Sequence, residues 1–203
     1  MRVCYLPLSW TDYHDNALQL ADCILSAKKP LDKIIAISRG GLTLGHLLTD
    51  FLKIPIATFT IQSYTDIQSH GESVITEPLK TNIRGKHVLL VDDVADSGKT
   101  LQRAIKYLAR FHPASVFVST MFFKPRSVFK PDYYVATTTN WILFPYEPTE
   151  MILLITKNMR EQEKSEKEIH DFLKTLGYTE KQISFVRKYY PIIKSASSRS
   201  RHA

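Results

Sequence analysis

The chain has 203 residues, of which 44% are hydrophobic and 23% charged, a balance that predicts a folded domain and not a disordered chain. No stretch approaches the roughly 18 to 20 uninterrupted apolar residues of a membrane helix, and the first residues lack the apolar run of a secretory signal. The two cysteines, Cys4 and Cys23, indicate neither a disulfide framework nor a cysteine zinc site. We therefore expect a cytoplasmic protein without a membrane segment.

The net charge of +7 is concentrated near the end of the chain. Residues 157–203 hold 11 Lys and Arg against 6 Asp and Glu, whereas residues 1–156 hold 16 against 14. This distribution is typical of a solvated helical face followed by a polar tail. Nucleic-acid binding through the basic helices is the alternative, and it is the less favoured of the two.

In chain order, short β-rich runs alternate with helical patterns, which predicts a parallel sheet with crossover helices. The first part of the chain is predicted to form a helix over 12–28, a strand over 33–37, a helix over 42–52 and a strand over 54–61. Residues 62–85 are polar and follow neither period. A segment of this length without a pattern is typical of a functional or a disordered loop.

The second part of the chain continues the alternation and then becomes helical. Strands are predicted over 87–91, 115–123, 133–136, 141–144 and 151–156, and helices over 99–111, 159–176 and 180–190. The fold class is therefore α/β, with an open, twisted, mainly parallel sheet flanked by helices. We expect a core over 1–156, a helical extension over 157–194 and a disordered tail over 195–203.

The most informative segment is a buried strand that is followed at once by acidic residues and a short loop. Val88–Val91 are apolar, Asp92 and Asp93 come next, and a loop of small residues then opens into a helix. Ligands collect at the carboxyl ends of parallel strands, and backbone N–H groups at a helix start suit a phosphate. We therefore predict an anion site formed by Ala95, Asp96, Ser97, Gly98, Lys99 and Thr100.

Two other interpretations of this segment are weaker. Gly98-Lys99-Thr100 imitates the end of a nucleotide-triphosphatase P-loop, but that motif requires glycine where Asp93 stands. Alternatively, the acids could cap the helix, with Ser97 as a turn residue. Like charges so close together are costly unless a cation or hydroxyl donors occupy the site, which favours ligand binding.

Val88 to Thr100 closely resembles the phosphoribosyl-pyrophosphate signature of type I phosphoribosyltransferases. The resemblance implies that Asp92 and Asp93 hold the ribose 2- and 3-hydroxyls, directly or through Mg²⁺. It implies that the loop Ala95 to Thr100 cradles the 5-phosphate. Asp96 matches the family's acid near purine N7, the candidate general base of the reaction.

An upstream segment, Ile35 to Leu42, repeats the order strand, short loop, helix. Its glycines free the backbone to bend, and its arginine offers a planar fork to phosphate oxygens, although a Gly-Gly turn after a strand is common by itself. Together with the first segment it resembles the family's pyrophosphate loop, here Ser38, Arg39, Gly40 and Gly41. The resemblance also implies a cis peptide within this loop, at Ser38-Arg39.

The unpatterned segment from residue 62 to 80 matches the position of the family's flexible catalytic loop. Its Ser63-Tyr64 pair resembles the Ser-Tyr pair that many purine enzymes carry there. Closure of such a loop excludes water from the reacting sugar. A surface loop without function is the alternative.

The candidate base site combines Lys124, at the end of a predicted strand, with Trp141. An ammonium donor beside an aromatic surface suits a 6-oxopurine, because O6 and N7 are acceptors on one edge of the ring. Adenine would face the lysine donor to donor. Taken singly, a strand-end lysine is more often solvated and a tryptophan in an apolar run is more often core.

These residues resemble the base-recognition region, a small hood, of bacterial xanthine-guanine and hypoxanthine-guanine phosphoribosyltransferases. Lys124 matches the purine-contacting lysine, Trp141 the stacking aromatic and Ile142 the position whose backbone reads the base. Glu147 matches an acid near the second magnesium and the purine 2-substituent. The chain departs at Leu143-Phe144, where the best-known bacterial xanthine-guanine enzymes carry polar residues, which counts against xanthine.

The resemblance implies an enzyme that transfers the 5-phosphoribosyl group from phosphoribosyl pyrophosphate to guanine, hypoxanthine or xanthine. It further implies Mg²⁺ held with the help of Asp93 and Glu147, and a homodimer or homotetramer. A phosphoribosyltransferase for another nucleobase is one alternative. A regulator that senses phosphoribosyl pyrophosphate and binds nucleic acid is the other.

Overall fold

The computed structural model describes residues 4–66 and 69–190, with side chains described outside 63–73. The strands are β1 Tyr5–Pro7, β2 Lys33–Ser38, β3 Ile56–Asp66, β4 Ser69–Glu77, β5 His87–Ala95, β6 Ser115–Phe123, β7 Ala136–Thr137 and β8 Trp141–Leu143. The helices are α1 Trp10–Ser26, α2 Gly40–Leu52, α3 Lys99–Ala109, α4 Pro148–Glu161, α5 Glu166–Thr175 and α6 Glu180–Tyr189. Within the described ranges, no helix is long and apolar enough to span a membrane.

The chain divides into two compact units. The first unit is Thr11–Thr139, and the second combines the residues up to Trp10 with those from Asn140 onward. A boundary at residue 156 was expected, but that position lies inside α4. The predicted tail over 195–203 lies outside the described residues.

The first unit is built on one six-stranded sheet with the order β4-β3-β2-β5-β6-β7. All neighbours in this sheet run parallel except β3 and β4, which pair antiparallel. The helices α2 and α3 connect parallel strands, as the alternating pattern requires. The prediction of an α/β fold with a mainly parallel sheet is therefore confirmed.

The central strands are buried on both faces, which explains their continuous apolar runs. In β5, all four residues of Val88–Val91 are inaccessible to solvent. One sheet face packs against α3 through Leu101, Ala104 and Leu108. On α1, burial follows the helical period through Tyr13, Ala17, Leu20, Ala21 and Ile24, whereas Leu18 and Leu25 are exposed.

Three predicted elements were wrong. Residues 151–156 form part of α4 and not a strand, because Pro148 in the first turn starts a helix there. The single helix over 159–176 is two helices, since α4 ends at Glu161 and Ser165 caps the start of α5. The backbone of 62–77, expected to be irregular, belongs largely to the paired strands β3 and β4.

In the second unit, β1 and β8 pair in parallel and α4, α5 and α6 share one apolar core. Leu143 of β8 contributes to this core together with Ile152, Ile169 and Ile183. The apolar Leu143-Phe144 pair noted in the sequence is therefore buried. Packing of Leu143 against the helices gives a physical reason for an apolar residue at this position.

Candidate active site

The loop after β2 lies against the carboxyl end of β5. The peptide Ser38-Arg39 is cis, as predicted, and α2 begins at Gly40. A Cβ atom on Gly40 would collide with the carboxylate of Asp93, and one on Gly41 would collide with the carbonyl oxygen of Val91. Neither glycine has a positive φ. The two glycines are therefore required for the close approach of the start of α2 to β5, and not for the backbone bend that the sequence suggested.

The paired acids lie in β5 itself, which continues to Ala95 instead of ending before them. Asp92 is only 9% exposed, and its carboxylate accepts backbone N–H groups of Asp93, at 3.1 Å, and of Gly41. Burial raises the pKa of the Asp92 carboxyl well above its usual range, and the neighbouring charge of Asp93 raises it further. Asp93 Oδ1 accepts the N–H of Val94 at 2.6 Å.

Tyr13, which the sequence did not point to, belongs to the same environment. It projects from α1 and is fully buried. Burial raises the pKa of its hydroxyl, and the charges of Asp93 and Asp92 contribute to the rise. A tyrosine on the buried face of an amphipathic helix resembles any other core residue, so the sequence carries no signal for this proximity.

The acid pair fits the chemistry of a hard cation with oxygen ligands. Magnesium is bound through one or two carboxylates plus the phosphates of a substrate more often than by an all-protein cage. Across the described part of the chain, no three His, Cys, Asp or Glu side chains are grouped to hold a metal ion by themselves. Two adjacent carboxylates, one of them poorly solvated, are suited to share such an ion or to accept hydroxyl donors.

The predicted phosphate loop turns at Gly98, whose φ is 77°, and leads directly into α3. A Cβ atom on Gly98 would collide with Ser127 Oγ and the backbone nitrogen of Phe129, so both conformation and space demand glycine. The N–H of Lys99 donates to Ser97 Oγ at 3.4 Å, a long hydrogen bond. The loop thus presents the start of a helix at the end of β5, the arrangement that suits an anion.

The loop after β6, residues 124–129, is hydrogen-bonded to the phosphate loop. The N–H of Lys124 donates to the Ala95 carbonyl oxygen at 3.0 Å, and the N–H of Val128 donates to the Ser97 carbonyl oxygen at 3.0 Å. Through these bonds the predicted general base and the predicted purine-contacting lysine become neighbours. We refer to residues 124–129 as the base loop.

Asp96 and Lys124 contact each other directly. Lys124 Nζ lies 3.3 Å from Asp96 Oδ2, and Arg126 Nε donates to Asp96 Oδ1 at 2.7 Å. Arg126 Nη2 also bonds to Oδ1. Arg126 was not predicted from the sequence, where the only signal was a second cation two residues after Lys124.

The remaining predicted base-site residues belong to the second unit, whereas Lys124 belongs to the first. Trp141 is 44% exposed and its backbone N–H donates to the Cys4 carbonyl oxygen at 2.8 Å, while Ile142 is buried. Glu147 precedes the first turn of α4; burial raises the pKa of the Tyr178 hydroxyl, and the charge of Glu147 raises it further. Ile142 and Leu143 are both buried, so Trp141 is the exposed residue of β8.

The predicted flexible-loop pair, Ser63 and Tyr64, lies within β3 by its backbone. The side chains of both residues lie outside the described part of the chain, so their predicted role stays a prediction.

Comparison with known proteins identifies the family. Residues 9–150 match the family described as phosphoribosyl transferase domain. A purine phosphoribosyltransferase from Pyrococcus horikoshii is 32% identical, with a TM-score of 0.65 over 70% of this chain and 94% of the other. A hypothetical protein from Neisseria gonorrhoeae with bound ppGpp is 27% identical, with a TM-score of 0.62 over 72% and 91%. The Helicobacter pylori xanthine-guanine-hypoxanthine phosphoribosyltransferase, at 21% identity and a TM-score of 0.61 over 77% and 99%, is similar in fold. The match over 70% of its length and the signature at the end of β5 together show that this chain belongs to the phosphoribosyl transferase family and is a phosphoribosyltransferase.

Proposed function

We propose that the enzyme transfers the 5-phosphoribosyl group from phosphoribosyl pyrophosphate to a 6-oxopurine (guanine, hypoxanthine or xanthine), releasing pyrophosphate. The observation that carries the choice of base is the Asp96–Lys124 pair, with Oδ2 and Nζ 3.3 Å apart. The similar Pyrococcus protein is a purine enzyme, which supports the same class of acceptor.

The pair matches one edge of a 6-oxopurine. In the tautomer that carries a proton on N7, that edge presents an N–H donor beside the O6 acceptor. Asp96 Oδ2 is an acceptor and Lys124 Nζ a donor, so both contacts form in parallel. Adenine presents an amino group in place of O6, which would leave Lys124 facing another donor.

The sugar end of the substrate is assigned to the loops after β2 and β5. We propose that the loop Ala95 to Thr100 binds the 5-phosphate and that Asp92 and Asp93 bind the ribose hydroxyls. Ser38, Arg39, Gly40 and Gly41 would bind the pyrophosphate group. The close approach of Gly40 to the Asp93 carboxylate supports this assignment, because the ribose and pyrophosphate are adjacent in the substrate.

In the second unit, Trp141 would stack on the purine, and the backbone of Ile142 would read its other edge. Asp93 and Glu147 are the residues that we propose to hold Mg²⁺. When bound, the ion supplies positive charge to the departing pyrophosphate. Ser63 and Tyr64 would belong to the segment that covers the site.

The chain's own groups then account for the transfer. The bond from the purine N9 to the sugar C1 forms while the bond from C1 to the pyrophosphate oxygen breaks. Arg39 would stabilise the negative charge that develops on the pyrophosphate, and the phosphate loop would hold the sugar in line. Asp96 accepts the proton that leaves N7.

A parallel product assay tests the proposal. The purified protein is incubated with phosphoribosyl pyrophosphate and Mg²⁺ and, in separate reactions, with guanine, hypoxanthine, xanthine, adenine, uracil or orotate. We expect nucleoside monophosphate only from one or more of the three 6-oxopurines. Product from adenine or a pyrimidine alone, or from none of the six, would contradict the proposed acceptor. A cytoplasmic location and a homo-oligomeric state remain further proposals.

A further inference from the structure

Arg126 holds the oxygen of Asp96 that Lys124 does not contact. Both Nε, at 2.7 Å, and Nη2 of the guanidinium donate to Oδ1, whereas Lys124 Nζ lies 3.3 Å from Oδ2. Each carboxylate oxygen therefore has its own cation. A guanidinium that binds one oxygen through two N–H groups restricts rotation of the carboxylate, because rotation would break both bonds.

The side chains of Lys124, Asp96 and Arg126 differ in their exposure to solvent. The side chain of Lys124 is 8% exposed, that of Asp96 is 42% exposed and that of Arg126 is 67% exposed. An exposed ion pair contributes little to stability, since water and salt screen it. The contact between Arg126 and Asp96 is therefore poorly explained as a folding device.

The backbone around Arg126 is fixed independently of its side chain. Lys124 donates to Ala95, and its own carbonyl oxygen accepts the N–H of Ser127 at 2.9 Å. Ser127 Oγ donates to the Phe129 carbonyl oxygen at 2.8 Å, which closes the turn of the base loop. Loss of the guanidinium would thus leave the base loop in place and release only the carboxylate of Asp96.

We propose that Arg126 is a positioning residue for base recognition. By binding Oδ1 it turns Oδ2 of Asp96 toward Lys124, so that Oδ2 and Nζ form the acceptor–donor pair that a 6-oxopurine requires. Without Arg126, the carboxylate is free to rotate and both of its oxygens compete for the Lys124 ammonium. The base then loses its O6 donor and its N7 proton acceptor together. The inference rests on the proposed roles of Asp96 and Lys124 and adds a residue to which no contact with sugar or phosphate is assigned.

Steady-state kinetics of Arg126→Gln, with a 6-oxopurine accepted by the wild type, tests this role. We expect kcat/KM for the base to fall about 10- to 100-fold, the range that follows from a misoriented catalytic group. The KM for phosphoribosyl pyrophosphate should change less than about twofold, because no contact to that substrate is removed. Arg103→Gln, at an exposed arginine on α3, is the charge-matched control and should behave as the wild type.

Two further variants, one of them conservative, separate positioning from general damage. Arg126→Lys keeps the charge but offers Oδ1 a point donor instead of a fork, so it should recover only part of the loss. In Arg126→Ala, added guanidinium ion at non-denaturing concentration should restore kcat/KM for the base several-fold, whereas it should not affect Arg103→Ala.

The outcomes distinguish this inference from the function on which it rests. If the wild type accepts no 6-oxopurine, the result contradicts both the proposed function and the role of Arg126. If the wild type accepts one and Arg126→Gln retains its kcat/KM within about twofold, the role of Arg126 alone is overturned. An equal loss toward both substrates, without rescue by guanidinium, would likewise overturn it.

Discussion

A carboxylate at the carboxyl end of the sheet in the first unit and one on a helix of the second unit have pKa values shifted in opposite directions. Asp92 is buried beside another acid, and the pKa of its carboxyl is raised by burial and by the charge of Asp93. Glu168 on α5 is exposed and accepts the backbone N–H of Ser165, which helps lower its pKa to about 2. The first arrangement costs stability and the second contributes to it.

This difference indicates which charges serve a ligand. A folded chain retains unfavourable like charges where a function requires them, and such groups cluster at active sites. In the helical unit, Ser165 and Thr179 each begin a helix with a complete capping box. The capping residues of α5 and α6 therefore favour the same helices that the structure shows. Substitutions at the two regions should therefore have different signatures.

The largest effect is expected from Asp96→Asn, which removes the proposed proton acceptor but keeps the shape of the side chain. We predict that kcat falls about 10²- to 10⁴-fold, the range for loss of a general base. Rates are measured under saturating phosphoribosyl pyrophosphate and base. Asp50→Asn is the control, because Asp50 is an exposed acid that pairs with Lys53 at 2.7 Å, at the end of α2. A kcat within a few-fold of the wild type would remove Asp96 from this role and weaken the contrast between the regions.

Asp92→Asn should increase the stability of the protein, and this effect should be smaller than the kinetic effect of Asp96→Asn. For an acid whose pKa is raised on folding, the folded state binds more protons between the unfolded and folded pKa values, so stability falls as pH rises through that window. The Asn variant lacks this loss. We predict that its Tm at neutral pH exceeds that of the wild type by about 2 °C or more, corresponding to about 1 kcal/mol in a chain of this size.

The pH dependence gives the sharper form of this test. The Tm difference should shrink as the pH falls toward about 4, near the usual pKa of an aspartate, because the wild-type carboxyl is then protonated. Melting is followed in chelator, without substrate. Asp50 serves again as control, since its pKa is lowered by Lys53 and Asp50→Asn should give no rise in Tm. A lower Tm for Asp92→Asn at neutral pH would show that the buried acid is not a burden.

The same contrast explains what the sequence could predict. The signature at β5 was recognisable because its strand, acids, small-residue loop and helix are consecutive, so local pattern and fold agree. The cis peptide at Ser38-Arg39 followed from family resemblance. The pairing of β3 with β4 was missed although its partners are close in sequence, from Asp66 and Ser69 to Thr60 and Glu77, because this polar stretch shows no strand period.

Other misses have equally specific causes. The run Met151 to Ile155 is continuously apolar, a pattern shared by a buried strand and a buried helix, and Pro148 decided the outcome. Arg126 acquires its role only through a bond to Asp96, 30 residues earlier in the chain. An ion pair between residues that are far apart in the chain has no fixed sequence spacing, so a single sequence does not reveal it. The candidate site could therefore be predicted from the sequence where its residues are consecutive, but not where separate loops bring them together.

The smallest effect is expected from Ser165→Ala at the start of α5. In the capping box, the N–H of Glu168 donates to Ser165 Oγ at 3.3 Å, and Glu168 Oε2 accepts the N–H of Ser165 at 2.9 Å. Loss of the cap should cost about 1 kcal/mol of stability, measured by denaturant unfolding. The same change at exposed Ser184, inside α6, should be neutral or slightly stabilising, since alanine has the higher helix propensity.

The kinetic result for Ser165→Ala decides how separate the two regions are. If the second unit contributes stability through its own caps and core, kcat and both KM values should remain those of the wild type while the unfolding midpoint falls. A fall in kcat/KM for the base alone would instead mean that α5 supports the segment from Trp141 to Glu147. In that case the helices of the second unit would support catalysis as well as stability.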